Sequence, residues 1–166
     1  RRYGALKRLG ATALPVWGII AGKALAVVTV VFLQALLLGG IGLALGWRPS
    51  PAGLLAGAAV IALGTATFAA MGLLLGGTLR AEIVLAVANL LWFVFAAFGA
   101  LTLESDTIPH ALSLVARLTP SGALTEALSR AVGDPAAVSL DWFGIAVLAI
   151  WGSVSAVAAL RWFRFT

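Results

Sequence analysis

The sequence has no cysteine, one histidine, one methionine and one tyrosine in 166 residues. Without thiols there are no disulfides, no thiol nucleophile and no cysteine-ligated metal. The lone His110 cannot build a histidine-rich metal cluster. Charge is scarce too: 10% of residues are charged, where soluble domains carry roughly a quarter. Only six residues are acidic, and five of them, Glu104, Asp106, Glu126, Asp134 and Asp141, fall in one stretch. Glu104 and Asp106 read as a solvated loop edge rather than as an acid/base pair.

Apolar residues fill the space left by charge. They make up 62% of the chain, and the mean hydropathy is +1.09. A chain this short cannot hide that much apolar surface from water, so the class is an all-α, polytopic helical membrane protein. The net charge of +5 is not a nucleic-acid signal, because the basic residues gather at the ends of apolar segments, as membrane topology requires. The Arg-Arg start and the single Met71 read as a piece of a longer chain. A cleaved signal peptide does not fit, since apolar sequence continues far past any cleavage site.

Residues 1–15 are the one long segment that is both basic and amphipathic. Tyr3, Leu6 and Leu9 recur three apart, while Arg1, Arg2, Lys7 and Arg8 sit between them. On a helix this places an apolar stripe beside a basic face. Two readings stand open at this point: a helix lying on anionic headgroups, or one that docks on a soluble partner. Pro15 ends the segment.

Four apolar segments long enough to span follow, at 16–45, 52–79, 83–103 and 142–163; about 20 residues suffice to cross a bilayer. Gln34 lies deep in the first and is expected to face protein rather than lipid. The second carries Gly53/Gly57 and Gly72/Gly76, small residues four apart that permit close helix approach. The third carries Asn89 at mid-depth with Trp92, Phe93, Phe95 and Phe98. Asn89 reads either as a cavity-lining amide or as one satisfied within its own bundle. The aromatic group reads as packing or as a substrate-facing surface.

Between the third and fourth spans, 104–141 is polar at its flanks and holds two apolar pieces too short to cross. The first runs from Ile108 to Leu118. The second opens at Thr119-Pro120, with Thr119 as N-cap and Pro120 at the first helical position, and stops at Gly133. Such a pair reads as an interfacial or re-entrant hairpin. Arg1, Arg2, Lys7, Arg8, Arg80, Arg161 and Arg164 fall on one side of a four-span arrangement, and the hairpin with its carboxylates falls on the other. The positive-inside rule then puts both ends in the cytoplasm and the hairpin outside.

Catalytic groupings are missing. His110 and Ser113 share a helix face, but no third group orients the imidazole and no Gly-x-Ser-x-Gly surrounds the serine. Gly18-Ile19-Ile20-Ala21-Gly22-Lys23-Ala24 is one residue short of a phosphate loop and has Ala24 in place of Ser/Thr. No catalytic, cofactor-binding or metal-binding residue is assigned, so the chain is not read as an enzyme. Any nucleotide chemistry would belong to another subunit.

Two stretches resemble the permease subunits of bacterial ABC-2 type transporters, a group with drug-resistance and lipid or polysaccharide exporters. Gly4-Ala5-Leu6-Lys7-Arg8-Leu9-Gly10-Ala11-Thr12-Ala13-Leu14-Pro15 is similar to that family's basic stretch, of the form (E)RxxGTLKxLxxTPL. Ala5 stands where Thr is common and Ala13 where Pro is common. Leu118-Thr119-Pro120, followed by a short helix to Gly133, resembles the family's extracellular re-entrant hairpin before the last span.

The resemblance implies a cytoplasmic coupling helix over 1–15, with Tyr3, Leu6, Leu9 and Arg8 at the ATPase. Behind it would lie the last four of six spans in a cell-membrane export subunit. It implies ATP and magnesium on a partner ATPase, a second permease half (identical or homologous), contact with membrane lipids and none with nucleic acid. The cargo expected is an amphipathic or lipid-like molecule, as in multidrug efflux and antibiotic resistance, with Gln34, Asn89, Trp92 and Phe95 as pathway-lining candidates. The rival reading is a non-transporting membrane scaffold or sensor whose basic helix binds lipid headgroups.

Overall fold

The computed structural model describes residues 16–103, 108–134 and 137–162. All regular structure in them is helical, and four helices are long and apolar enough to cross a membrane. The chain divides into two compact units, Arg1–Trp47 and Arg48–Thr166.

In the first unit, helix α1 (Val16–Ala44) is apolar around its whole circumference, the pattern of a helix solvated by lipid or by other apolar helices. Its end is well defined. Gly46 adopts φ +97°, a conformation open to glycine at little cost. That left-handed residue lets the Trp47 N–H reach the Gly42 carbonyl at 2.9 Å and the Gly46 N–H reach Leu43 at 3.1 Å. This crossed pair satisfies the last carbonyls of the helix. The Trp47 ring then folds over Gly42, where a Cβ would stand 3.1 Å from Cε3.

The second unit begins with α2 (Pro51–Thr78). The Ser50 hydroxyl accepts from the Gly53 N–H at 3.0 Å, and Pro51 occupies the first turn, where its missing N–H costs nothing. Leu79 and Arg80 turn the chain into α3 (Ala81–Leu103). Two short amphipathic helices follow, α4 (His110–Leu118) and α5 (Pro120–Gly133), and then α6 (Trp142–Trp162). Thr119 caps α5 as its sequence suggests: its Oγ1 accepts from the Gly122 N–H at 3.1 Å and donates to the Ala116 carbonyl at 2.6 Å. One hydroxyl thus ends α4 and starts α5, fixing the angle between them.

The core is small and lies between α2, α5 and α6. Ala123 and Leu148 are fully buried there beside Val147, with Leu63 and Leu124 packed on them. Helix α5 runs antiparallel to α2 on a ridge of glycines. A Cβ at Gly53 would stand 2.8 Å from the Ala131 carbonyl, one at Gly57 2.8 Å from Val132 Cγ1, and one at Gly64 2.7 Å from Leu124 Cδ1. Gly53 to Gly64 is about 16 Å of helix at 1.5 Å per residue, so the hairpin packs along a large part of α2. Of the two glycine pairs in this segment, Gly53/Gly57 makes this contact, whereas nothing lies within 4 Å of a Cβ at Gly72 or Gly76.

Helix α6 runs parallel to α2 and is tied to it through Thr67. Its Oγ1 reaches both the Leu63 carbonyl of its own helix, at 2.9 Å, and the Leu148 carbonyl of α6, at 3.0 Å. Gly152 clears the way, since a Cβ there would be 3.0 Å from that hydroxyl. Outside this core, Leu85, Leu90, Trp92, Phe93, Ile150 and Leu160 are each more than 60% exposed. Such a surface suits lipid or neighbouring helices.

Candidate functional site

Hydroxyl, aromatic and charged side chains meet around the α4–α5 turn. Beside it, α2 and α3 diverge to leave an open cleft of about 410 Å³, walled by Phe68, Met71, Leu75, Leu91, Trp92 and Phe95, with Ser121 at one end. Phe68 and Phe95 meet edge to face, centroids 5.8 Å apart, and form the bridge between the two helices. Among the described residues no ionisable side chain lines the cleft. The polar side chain there is Ser121, whose Oγ is 3.3 Å from Thr119 Oγ1. Because Thr119 already spends its proton on the Ala116 carbonyl, Ser121 is the donor of that pair. Its lone pairs are left to accept. A second hollow of about 430 Å³ lies next along α2, at its C-terminal end, lined by Leu74, Leu75, Thr78, Leu79 and Trp162. The Thr78 hydroxyl is occupied by its own helix, at Leu74.

Of the pathway candidates named from sequence, Trp92 and Phe95 both line the α2–α3 cleft. Asn89 is exposed on α3 and makes no hydrogen bond among the described residues. Gln34 is exposed on α1, in the other compact unit. The coupling candidates Tyr3, Leu6, Arg8 and Leu9 lie outside the described residues. The Ser113 hydroxyl donates to the His110 carbonyl at 2.9 Å, which engages it with the backbone rather than with an imidazole.

Sequence reasoning missed the charged group at the turn. Arg117, in the last turn of α4, places Nη2 at 3.1 and 3.2 Å from the two oxygens of Asp141, just before α6. The Arg117 guanidinium also stacks on Phe143, 5.0 Å from the ring centroid. Gly144 makes room for the pair, because a Cβ there would lie 2.6 Å from Asp141 Oδ2 and 2.8 Å from the Ala123 carbonyl. The Trp151 indole N–H donates to the Leu118 carbonyl at 3.0 Å. On the outer face of α5, Arg130 Nε pairs with Glu126 Oε1 at 2.6 Å. That hydrogen bond, foremost, holds the Arg130 guanidinium above its already high ordinary value. This exposed i,i+4 pair contributes only a few tenths of a kcal/mol. A usable signal for Arg117 was its place in an apolar helix too short to span, where a lone cation needs a partner.

These features define a polytopic, all-helical membrane protein. The family model described as ABC-2 family transporter protein matches residues 1–161, and the chain belongs to that family. No curated protein and no solved structure matches it.

Proposed function

We propose that the chain is the transmembrane permease subunit of an ABC-2 exporter. It moves an uncharged or amphipathic lipid-like molecule outward and is driven by a separate ATPase subunit. The observation that carries this reading is the α2–α3 cleft: aromatic and aliphatic walls without a charge, and a single hydroxyl acceptor at one end, in a chain of this family. Such a lining favours apolar bodies with a hydrogen-bond donor and penalises bare ions.

In this reading Trp92 and Phe95 contact cargo, and the α4–α5 hairpin is re-entrant on the extracytoplasmic side. Residues 1–15 form the cytoplasmic coupling helix, with Tyr3, Leu6, Leu9 and Arg8 toward the ATPase. Hydrolysis, with its nucleotide and magnesium, takes place on that partner. A second permease half completes the pathway.

The test is affinity purification of the full-length permease from native membranes, as wild type and as Leu6→Asp/Leu9→Asp. An ATPase subunit is expected with the wild type and is lost from the variant. If no ATPase accompanies either protein, while both still bind anionic vesicles through the basic segment, the scaffold reading replaces this one.

A further inference from the structure

We propose that the hollow at the C-terminal ends of α2 and α6 seats an anionic phospholipid, with an acyl chain in the hollow and the phosphate between Arg80 and Arg161. The site does not depend on what the permease carries.

The walls select a tail. Leu74, Leu75, Leu79 and Trp162 are apolar, and Thr78 is the polar residue among the lining side chains. Leu79 and Trp162 are 36% and 66% exposed at the ends of their helices. The Thr78 hydroxyl donates to the Leu74 carbonyl at 2.6 Å, so its oxygen can still accept. The Trp162 indole N–H can only donate, and it has no partner among the described residues. A glycerol ester carbonyl is an acceptor suited to it. A free phosphate would leave the leucine walls uncovered, whereas a lipid covers them.

The position selects a depth. Helix α2 has 28 residues and is about 42 Å long, more than the roughly 30 Å of a hydrocarbon core. Its end therefore reaches the headgroup layer, where Trp162 also belongs. In the orientation proposed above this is the cytoplasmic leaflet.

The charge selects a head. Arg80 follows Leu79 and Arg161 precedes Trp162, so each is one Cα–Cα step of about 3.8 Å from a lining residue. Both are exposed, and neither makes an ion pair among the described residues. Arg117 and Arg130 on the hairpin, by contrast, each hold a carboxylate. Glu82 offsets at most one of the two charges, and its place in the first turn of α3 already suits that helix N-terminus. A guanidinium binds phosphate oxygens in a two-point fork. Basic pockets between spans at a membrane surface take anionic headgroups for this reason, while a zwitterionic lipid brings its own cation. Leu75 lines both this hollow and the α2–α3 cleft, so the seated chain touches a residue that also walls the cleft.

The test uses full-length permease, purified in detergent and stripped of lipid. It is titrated with phosphatidylglycerol or with phosphatidylcholine of the same chains, and bound lipid is counted by native mass spectrometry. Wild type is expected to prefer phosphatidylglycerol by about tenfold, as two cations near a membrane surface allow. Arg80→Gln/Arg161→Gln is expected to reduce that preference to about twofold or less, and Arg80→Lys/Arg161→Lys to keep most of it. Arg48→Gln, at the opposite end of α2, is expected to keep all of it. Leu74→Trp fills the hollow and retains both arginines; it is expected to weaken phosphatidylglycerol binding about tenfold. Glycerol phosphate, the head without chains, is expected not to displace the lipid.

Equal binding of the two lipids by wild type overturns the proposal, as does an unchanged preference in the Arg80→Gln/Arg161→Gln protein. Displacement by glycerol phosphate, or an equal loss in Arg48→Gln, overturns it too. Neither the ATPase nor transport enters the readout, so its failure is distinct from failure of the permease reading.

Discussion

Arg117 holds Asp141 with a single nitrogen: Nη2 lies 3.1 and 3.2 Å from the two carboxylate oxygens, while the buried Nε has no hydrogen-bond partner among the described residues. Asp141 is 4% exposed and the Arg117 side chain 26%. The geometry is less than the full two-nitrogen fork open to a guanidinium. The contribution of this pair is therefore best read from what its removal leaves behind.

Arg117→Leu strands a buried carboxylate and is expected to cost about 3 kcal/mol, the lower end for breaking a buried pair. Arg117→Leu/Asp141→Asn removes both charges and is expected to recover most of that loss. Thermal unfolding in detergent micelles decides. A double variant no better than the single would show that the pair acts through shape rather than charge.

Thr119 serves two helices with one hydroxyl. Thr119→Ala is expected to lower stability by about 1 kcal/mol or somewhat more, and Thr119→Ser to keep most of it. Faster amide exchange at Gly122 in the alanine variant is the local signature. Unchanged exchange there would remove the capping role.

The glycines separate by what a methyl group would meet. At Gly64 the neighbour is the end of the flexible Leu124 side chain, so Gly64→Ala is expected to cost less than about 1 kcal/mol. At Gly122 the nearest atom is the Ala116 backbone carbonyl, with Thr102 Oγ1 also close. Gly122→Ala is expected to cost about 3 kcal/mol or to prevent assembly. Equal melting temperatures for the two variants would contradict the packing described.

Phe95→Ala removes both a cleft wall and the ring contact with Phe68. A roughly tenfold weaker apparent affinity for a fluorescent short-chain glucosyl diacylglycerol, an uncharged lipid with hydroxyl donors used as the transport probe, is expected, equivalent to about 1.4 kcal/mol. The maximal ATPase rate is expected to be unchanged. Leu160→Ala, on a residue 85% exposed and away from the cleft, provides the control. Matching affinities in the two variants would remove Phe95 from the pathway.

The all-α class and its four apolar helices were legible because apolar runs of this length have few other uses. Thr119-Pro120 announced a helix start because both residues act on their own backbone. The α2–α5 ridge was half legible: Gly53 and Gly57 stood out, but so did Gly72 and Gly76, which face open space. Spacing alone cannot say which glycine meets a neighbour. Arg117 and Asp141 are 24 residues apart, and their pairing depends on how the hairpin folds back onto α6, which no local pattern records. Ser121 was hidden for a related reason, since its position at the cleft is set by helix packing rather than by its flanking residues.

The central claim is that this chain is the membrane pathway of an ATP-driven exporter. Its most direct test is ATP-dependent movement of the fluorescent glucosyl diacylglycerol across vesicles holding the full-length permease and its co-purified ATPase. The prediction is movement that requires ATP hydrolysis and is weakened by Phe95→Ala. A functional, permease-bound ATPase with no ATP-dependent movement of the probe would contradict it.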